Sequence, residues 1–338
     1  MKFCVYGAGA IGGLLAAELA LAGHEVCVIA RGEHLRAIQA HGLKLLIDGH
    51  EKQARVAASD DPRSFGRQDF VLCTLKAHQA YESARSFAPL LGPETAVLTA
   101  MNGVPWWYFY KVGGRFEGCR VEAVDRDGRQ WESIGPERVI GCVVEPACEV
   151  VAPGVVRHYA FKRFTIGEPA GIRSQRVNSL SEALIGAGFE APVRDNIRWN
   201  IWLKLWGNVC FNPISALTGA TLARITGEAR LLDLCRKMML EAKAVNEALG
   251  IVIPAEMVER RLASVRIIGA HKMSMLQDLE RGRILEIDAL VTAVQELGRL
   301  AEVATPTIDT VLALIQERGR TAGLYELPDA PRLRAAGL

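Results

Sequence analysis

Lys204, Asn208 and Asn212 recur at four-residue intervals in an apolar segment over residues 197–213, and Asn200 extends the series backwards. Side chains at four-residue steps lie on one face of a helix, and such a polar face is costly to bury without polar partners. A lysine ammonium among large apolar groups can polarise a carbonyl oxygen and donate a proton to it. We predict that Lys204 is a general acid and that Asn208 and Asn212 bind a small hydroxylated acid. A partly exposed amphipathic helix is the alternative.

A second polar set lies between residues 271 and 288. Its Ser274 and Glu286 are twelve residues apart, which would separate them by about 18 Å along a continuous helix. Gly282 is suited to break the helix and turn the chain, which would bring the two residues together. Glu286 would then orient Lys204 and keep it charged. The alternative is a solvated acidic helix face.

The start of the chain carries a glycine pattern typical of dinucleotide binding. The pattern G-x-G-x-x-G is formed by Gly7, Ala8, Gly9, Ala10, Ile11 and Gly12. Gly7 would permit a tight turn, Gly9 a close approach of the backbone to a pyrophosphate, and Gly12 close packing of helix on strand. The N-terminus of the following helix would favour the anion. A glycine turn without a ligand is the alternative.

The end of the second predicted strand bears on the choice of cofactor. NAD sites usually place an acidic residue there, about 20 residues beyond the glycines, to accept hydrogen bonds from the ribose hydroxyls. This chain has Arg31 instead. A guanidinium is a planar cation suited to a 2′-phosphate, so the sequence favours NADPH over NADH. A surface arginine is the alternative, and Glu33 lies close by.

Two further candidates follow predicted strands. Lys76 comes just after Thr74 at the end of one strand, and Asn102 follows another. Ligands of open α/β sheets lie beyond the carboxyl ends of the strands. We predict that Lys76 neutralises a phosphate or a substrate carboxylate, and that Asn102 forms a hydrogen bond near the nicotinamide. Each of them could instead cap a turn.

Strands and helical patterns alternate in the first half of the chain. We expect strands over residues 3–6, 25–30, 69–74 and 96–100, and helices over residues 10–22 and 78–91. Such alternation implies parallel strands joined by right-handed crossovers. The fold class is therefore α/β, with a Rossmann-type doubly wound N-terminal domain.

The pattern becomes helical after residue 195, with long helical periods over residues 231–249, 254–266 and 285–302. We predict an NADP-binding Rossmann-type domain over 1–195, an all-helical substrate-binding domain over 196–320 and a tail over 321–338. An irregular, aromatic stretch over 105–138 interrupts the first domain. Its Asp127-Gly128 pair favours a tight turn between two short runs, which predicts a β-hairpin.

Composition limits the class of ligand. The 338 residues carry a net charge of +2 with interspersed signs, unlike the basic stripe of a nucleic-acid binder. No segment offers the run of about 20 apolar residues that a membrane span needs. Eight scattered cysteines without a C-x-x-C pair indicate reduced thiols. We expect a cytoplasmic protein that binds a small molecule, with no nucleic-acid or membrane partner and no metal; homodimer formation is left open.

Six motifs, in this order, resemble the 2-dehydropantoate 2-reductase (ketopantoate reductase) family. They are G-A-G-A-I-G at 7–12, T-L-K-A at 74–77, N-G at 102–103, P-G-V-V-R-H at 153–158, K-L-x-x-N-x-x-x-N-P at 204–213, and S-M-L-Q-D with E-I-D within 274–288. The resemblance spans nearly the whole chain. It implies NADPH-dependent reduction of ketopantoate, a small 2-oxo acid, to pantoate in pantothenate biosynthesis.

The resemblance also implies roles for individual residues. Lys204 would protonate the carbonyl oxygen, and Glu286 would be its supporting carboxylate. The substrate hydroxyl and carboxylate would be held by Asn208, Asn212 and Ser274. Asn102 would lie between cofactor and substrate, in a cleft that closes between the two domains.

The stretch over 105–138 departs from the family pattern, because it is longer and more aromatic than the segment that usually follows the Asn-Gly pair. Because this stretch lies next to Asn102 in the sequence, it would form a lid or alter substrate selection. The alternative is that it forms a surface excursion or an oligomer contact. Two other functions therefore stay open. One is NADPH-dependent reduction of another branched or aromatic 2-oxo acid, and the other is a non-catalytic NADP(H) sensor, against which the intact Lys204 and Glu286 argue.

Overall fold

The computed structural model describes residues 1–326. Backbone contacts divide the chain into two compact units, the first covering Met1–Ile201 and the second beginning at Trp202. Of the predicted tail over 321–338, residues 327–338 lie outside the described residues. Thr321, the first residue of the predicted tail, is the last residue of the final helix.

The first unit combines strands with short helices. Its strands are β1 (Lys2–Tyr6), β2 (Glu25–Ile29), β3 (Leu43–Ile47), β4 (His50–Ala54), β5 (Ala57–Ser59), β6 (Phe70–Cys73), β7 (Ala96–Thr99), β8 (Val139–Val144), β9 (Ala147–Ala152), β10 (Val155–Ala160) and β11 (Phe164–Gly167). Its helices are α1 (Ala10–Leu21), α2 (Gly32–His41), α3 (Ala77–Ser83), α4 (Arg129–Ser133) and α5 (Gln175–Gly186), and α6 (Ile197–Thr218) begins in it.

The larger sheet has the strand order β11-β8-β7-β6-β1-β2-β5. Its neighbouring strands are parallel, except that β11 is antiparallel to β8. The chain runs outward from β1 to β2 and β5, and then returns to β6 on the other side of β1. Doubly wound sheets bind ligands at such a reversal, beyond the carboxyl ends of the strands. The predicted Rossmann-type fold and its parallel strands are confirmed.

A second sheet, with the order β4-β3-β10-β9, has no counterpart in the sequence-based prediction. Helix α1 contacts strands of both sheets and so lies between them. Glu18 of α1 is nearly buried, and both of its carboxylate oxygens accept hydrogen bonds from Lys52 of β4, at 2.7 and 2.9 Å. This ion pair offsets the cost of burying the Glu18 carboxylate beneath the second sheet.

Two adjacent glycines let α1 pack closely on both sides. A Cβ at Gly12 would overlap the carbonyl oxygen of Gly7 and the hydroxyl of Thr74, on the side of the larger sheet. A Cβ at Gly13 would stand only 2.7 Å from Val156 Cγ2, on the side of the second sheet. Both contacts are too short for a real methyl group, so the spacing of the two layers requires glycine at both positions.

The predicted β-hairpin over 105–138 is wrong. The stretch contains single 3-10 turns at Gly114–Phe116, Arg126–Gly128 and Pro136–Arg138, together with helix α4. The predicted Asp-Gly turn forms, but the carboxylate of Asp125 then accepts hydrogen bonds from the backbone N–H groups of Gln130 (2.7 Å) and Trp131 (3.0 Å). A carboxylate that satisfies the N–H groups of a first helical turn favours a helix over a strand.

The aromatic cluster that opens this stretch belongs to the core of the first unit. Each of its first four side chains is at most 2% exposed: Trp106, Trp107, Tyr108 and Phe109. The indole N–H of Trp107 donates to Thr99 Oγ1 (2.8 Å) at the end of β7. These four residues therefore form neither an exposed lid nor a surface excursion.

A buried guanidinium at the start of α6 holds this cluster. Arg198 donates hydrogen bonds of 2.5 to 2.8 Å to the carbonyl oxygens of Tyr108, Tyr110 and Pro169. It also lies over the rings of Trp107 and Tyr108. Burial lowers the pKa of Arg198, and the carbonyl dipoles stabilise the cation that remains.

Within residues 202–326 the second unit contains helices joined by turns and loops, and no strand. After α6 its helices are α7 (Leu222–Gly227), α8 (Ala229–Ala248), α9 (Glu256–Ile268), α10 (Ser274–Glu280), α11 (Ala293–Leu300) and α12 (Pro306–Thr321), and a π-helical turn at Asp288–Thr292 precedes α11. The prediction of a helical C-terminal region is confirmed.

For two of the expected helices the structure shows why the observed bounds differ. The helix expected over 78–91 ends as α3 and continues as a 3-10 turn at Ala84–Leu90, where Pro89 has no N–H group to donate. The helix expected from residue 285 begins at Ile287, because the N–H group of Leu285 donates to the carbonyl oxygen of Leu324 instead (3.0 Å).

Candidate active site

The glycine loop between β1 and α1 is tied to the neighbouring strand β6. Gly7 has a φ of +101°, a conformation that favours glycine. The hydroxyl of Thr74, directly after β6, donates a hydrogen bond of 2.6 Å to the carbonyl oxygen of Gly7. Thr74 therefore bridges the two strands between which the sheet order reverses.

The N-terminus of α1 has room for an anion. Gly9 is the N-cap residue and gives the helix no side-chain hydrogen bond. Apart from the adjoining residues of the loop and helix, no atom of the described chain lies within 4 Å of the place where a Cβ of Gly9 would stand. The first N–H groups of a helix have no partner inside it, and the helix dipole favours negative charge there. The loop from Gly7 to Gly12 therefore fits the diphosphate of a dinucleotide.

Arg31 is the N-cap residue of α2 and is exposed. It follows β2, which pairs with β1 in the sheet, so both strands end at the same edge. Glu33 follows in the first turn of α2. The position of Arg31 is compatible with the expected contact to a 2′-phosphate, which stays a prediction.

Lys76 and Asn102 lie beyond the carboxyl ends of β6 and β7, which are neighbours in the sheet. Lys76 is the N-cap residue of α3, and its backbone N–H donates to Gln79 Oε1 (3.3 Å). Asn102 precedes Gly103, where a φ of +91° turns the chain. Both side chains are half-buried. Their strands end at the same edge as the glycine loop, and their contacts with a cofactor or substrate stay predictions.

In the second unit, Asn212 links α6 to the start of α10. Its Oδ1 atom accepts hydrogen bonds from the hydroxyl of Ser274 and from the backbone N–H of Met275, each at 3.1 Å. Its amide nitrogen donates to Asn208 Oδ1 (3.3 Å). Asn212 is 1% exposed, whereas Asn208 is half-buried and Ser274 is exposed. The structure therefore joins three of the predicted substrate-binding residues in one network, with Asn212 at its centre.

Lys204 lies one turn before Asn208 on α6 and is half-buried. The next two residues, Leu205 and Trp206, are buried. The predicted break at Gly282 is present, since α10 ends before it and Gly282 has a φ of +63°. The roles predicted for Lys204 and for the carboxylate beyond this break stay predictions.

Residues that follow α12 form hydrogen bonds on both sides of Glu286, with the backbone of Leu285 and with the side chain of Asp288. The carbonyl oxygen of Leu324 accepts the hydrogen bond from Leu285 described above. The hydroxyl of Tyr325 donates to Asp288 Oδ1 (2.7 Å). Burial and the nearby carboxylate of Asp288 raise the pKa of Tyr325, so its hydroxyl remains a donor at neutral pH. Glu286 itself is half-buried between these two attachments.

Two classes of site are absent from residues 1–326. No helix there has both the length and the apolar character needed to cross a membrane. No group of three or more His, Cys, Asp or Glu side chains in these residues could hold a metal ion. The eight cysteines all lie in this part of the chain as free thiols. Burial raises the pKa of Cys73 to about 12, so this thiol is not a nucleophile at neutral pH.

Comparison with known proteins covers both units. The family described as "Ketopantoate reductase PanE/ApbA" matches residues 3–171, and its C-terminal part, "Ketopantoate reductase PanE/ApbA C terminal", matches residues 196–319. A 2-dehydropantoate 2-reductase of Mesorhizobium japonicum is 56% identical over 326 residues, which are 96% of this chain and 100% of that relative.

Solved structures show the same fold. The crystal structure of a ketopantoate reductase candidate from Ralstonia solanacearum MolK2 has a TM-score of 0.91 and 44% identity, covering 96% of this chain and 99% of that one. A D-mandelate dehydrogenase solved with NADH and anilino(oxo)acetate has a TM-score of 0.82, covering 96% of this chain and 100% of that one. At 21% identity the dehydrogenase shows the fold alone.

The hydrogen bonds of Asn212 predict its contribution to stability. In Asn212→Ala the buried N–H group of Met275 loses its acceptor, so we expect the free energy of unfolding to fall by about 2 kcal/mol. Ser274→Ala is the matched control, because it removes one hydrogen bond at an exposed position while Asn212 keeps the bond from Met275, and it should cost less than about 1 kcal/mol. Urea denaturation of the ligand-free protein measures both. Equal losses would mean that Asn212 is not the central link.

Proposed function

The chain belongs to the ketopantoate reductase family of oxidoreductases, and we propose that it reduces 2-dehydropantoate (ketopantoate) to pantoate with NADPH. The family acts on a small keto acid with a nicotinamide cofactor. The full-length match to a 2-dehydropantoate 2-reductase at 56% identity carries the choice of substrate. The proposal thereby also places the chain in pantothenate biosynthesis.

The proposed chemistry is the reduction of a carbonyl to an alcohol. The nicotinamide, when bound, supplies the hydride to the 2-oxo carbon. Lys204 would donate its ammonium proton to the carbonyl oxygen, which acquires negative charge as the hydride arrives. Lys204 is half-buried, so water reaches only part of its side chain. Glu286 would keep Lys204 charged, because a nearby carboxylate stabilises the ammonium form.

The network around Asn212 supports a role in holding the substrate. Asn208 and Ser274 are the less buried members of this network, and Asn212 connects them. Carboxamide and hydroxyl groups can accept from a substrate hydroxyl and donate to its carboxylate. We propose that Asn208 and Ser274 contact the substrate directly and that Asn212 completes this part of the pocket. In the first unit, we propose that Asn102 forms a hydrogen bond near the nicotinamide.

The structure weakens the case for an aromatic 2-oxo acid. That alternative rests on the aromatic residues after Pro105, of which Trp106, Trp107 and Tyr108 are buried in the core of the first unit. Side chains held in this way have no surface to offer a substrate ring. We therefore favour ketopantoate over aromatic acids.

Purified protein should oxidise NADPH when ketopantoate is added. The matched control substrate is 3,3-dimethyl-2-oxobutanoate, which has the same branched carbon skeleton without the hydroxyl. A site that binds the hydroxyl should prefer ketopantoate by at least about a hundredfold in kcat/KM. The loss of NADPH absorbance measures both, and benzoylformate tests aromatic acids. No turnover with ketopantoate at millimolar concentration, or a clear preference for another acid, would exclude this substrate.

Lys204→Ala should lower kcat by at least about a hundredfold, because the carbonyl oxygen then lacks its proton donor. NADPH should still bind, as measured by the quenching of tryptophan fluorescence. Lys237→Ala is the control, since Lys237 is an exposed lysine of α8 that pairs with Asp233; it should leave kcat unchanged. Normal turnover in Lys204→Ala would refute the general-acid role. If this variant binds NADPH but no longer oxidises it, the result argues against a non-catalytic NADP(H) sensor.

Arg31→Ala should weaken the binding of NADPH by about tenfold to a hundredfold, because a charge-assisted hydrogen bond to the 2′-phosphate is lost. The binding of NADH should change little. Arg36→Ala removes an exposed arginine further along the same helix and serves as the control. Dissociation constants for both cofactors, measured at one fixed salt concentration, give the comparison. Equal losses for NADPH and NADH would contradict a phosphate-binding role.

A further inference from the structure

His34 joins the glycine loop to the second sheet. On one side of its ring, Nδ1 accepts a hydrogen bond from the backbone N–H of Gly154 (3.0 Å). Because Nδ1 is the acceptor, the proton of the neutral ring lies on Nε2. This Nε2–H group donates to the carbonyl oxygen of Ala8, at 2.6 Å. One half-buried imidazole therefore connects two loops that are far apart in sequence.

The peptide unit that His34 contacts leads directly into α1. Its carbonyl group, from Ala8, bonds to His34, and its N–H group, from Gly9, donates to the carbonyl oxygen of Gly7 (2.7 Å). Both polar ends of this peptide are thus fixed. If the peptide turned over, a carbonyl oxygen with its partial negative charge would be free to face the helix N-terminus, where it would repel a phosphate.

The partner on the other side of His34 is the turn between β9 and β10. Gly154 of this turn has a φ of +74°, and a Cβ there would lie 3.2 Å from the Cβ of Ala37 in α2. Its carbonyl oxygen accepts from the backbone N–H of Lys44 (2.9 Å) in β3. The turn is therefore fitted closely against α2, which gives a physical reason for the glycine of the P-G-V-V-R-H motif.

We propose that His34 is a positioning residue of the dinucleotide site. Its two hydrogen bonds hold the Ala8 carbonyl in place and link it to the second sheet. His34 also lies in the first turn of α2, three residues after Arg31, so the same support serves the helix that begins with the candidate phosphate ligand. This role rests on the proposed function, because it assumes that the glycine loop binds the diphosphate of NADPH.

Two conservative substitutions separate the hydrogen bonds of His34. His34→Gln places an amide nitrogen near the position of Nε2 and can still donate to Ala8. His34→Asn places an amide oxygen near the position of Nδ1 and can still accept from Gly154. His34→Ala is the variant that lacks both bonds. Fluorescence titration would give the dissociation constant of NADPH for each variant, and thermal unfolding would give the stability of the ligand-free protein.

His34→Gln should bind NADPH within about threefold of the wild type, whereas His34→Asn and His34→Ala should bind about tenfold or more weakly. Thermal stability should fall similarly in the Gln and Asn variants, since each keeps one bond. Equal NADPH affinity in these two variants, or unchanged affinity in His34→Ala, would overturn the positioning role alone. A folded wild type that binds neither NADPH nor NADH would overturn the proposed function as well.

Discussion

Helix α1 is packed so closely on both sides that neither Gly12 nor Gly13 can carry a side chain. On one side the helix backbone meets the glycine loop and Thr74, and on the other it meets Val156 of the second sheet. Because interiors are close-packed, this spacing fixes the two sheets relative to the helix. The N-terminus of α1 is thereby fixed as well, at the edge where β1 and β6 end. The close packing at these two glycines therefore holds the start of α1, and with it the candidate nucleotide site, at that edge.

Four strands of the larger sheet (β1, β2, β6 and β7) and the helical region could be predicted because their signals are local. Buried parallel strands appear as short apolar runs, and helices show their own period. The second sheet could not be predicted in this way, since β3 pairs with β10 through residues more than a hundred positions apart, such as Lys44 and Val155. The predicted hairpin was wrong for a different, local reason. The sequence favoured a turn at the correct place, but the carboxylate of Asp125 decided in favour of a helix.

The same distinction applies to the candidate site. Residues that would act by their own chemistry were recognisable from type and spacing: the glycine loop, Arg31, Lys204, Asn208 and Asn212. Glu286 was also predicted, as a support for Lys204, but three other supporting residues were not recognisable. Thr74, His34 and Tyr325 each donate to a group that only the fold brings near, whether a loop carbonyl or a distant carboxylate. A threonine after a strand or a histidine in a first helical turn carries no sign of such a partner in the sequence.

Arg198 has a consequence for chimaeras made by exchanging segments between relatives. Its guanidinium donates to carbonyl oxygens in the aromatic segment and to Pro169, so three separate pieces of chain share one side chain. A donor segment of different length inserted over 105–138 would leave some of these donors and carbonyl groups unpaired in the interior. A crossover placed between the aromatic segment and α6 would therefore separate partners that must be inherited together, whereas a crossover after Arg198 would keep them in one parent.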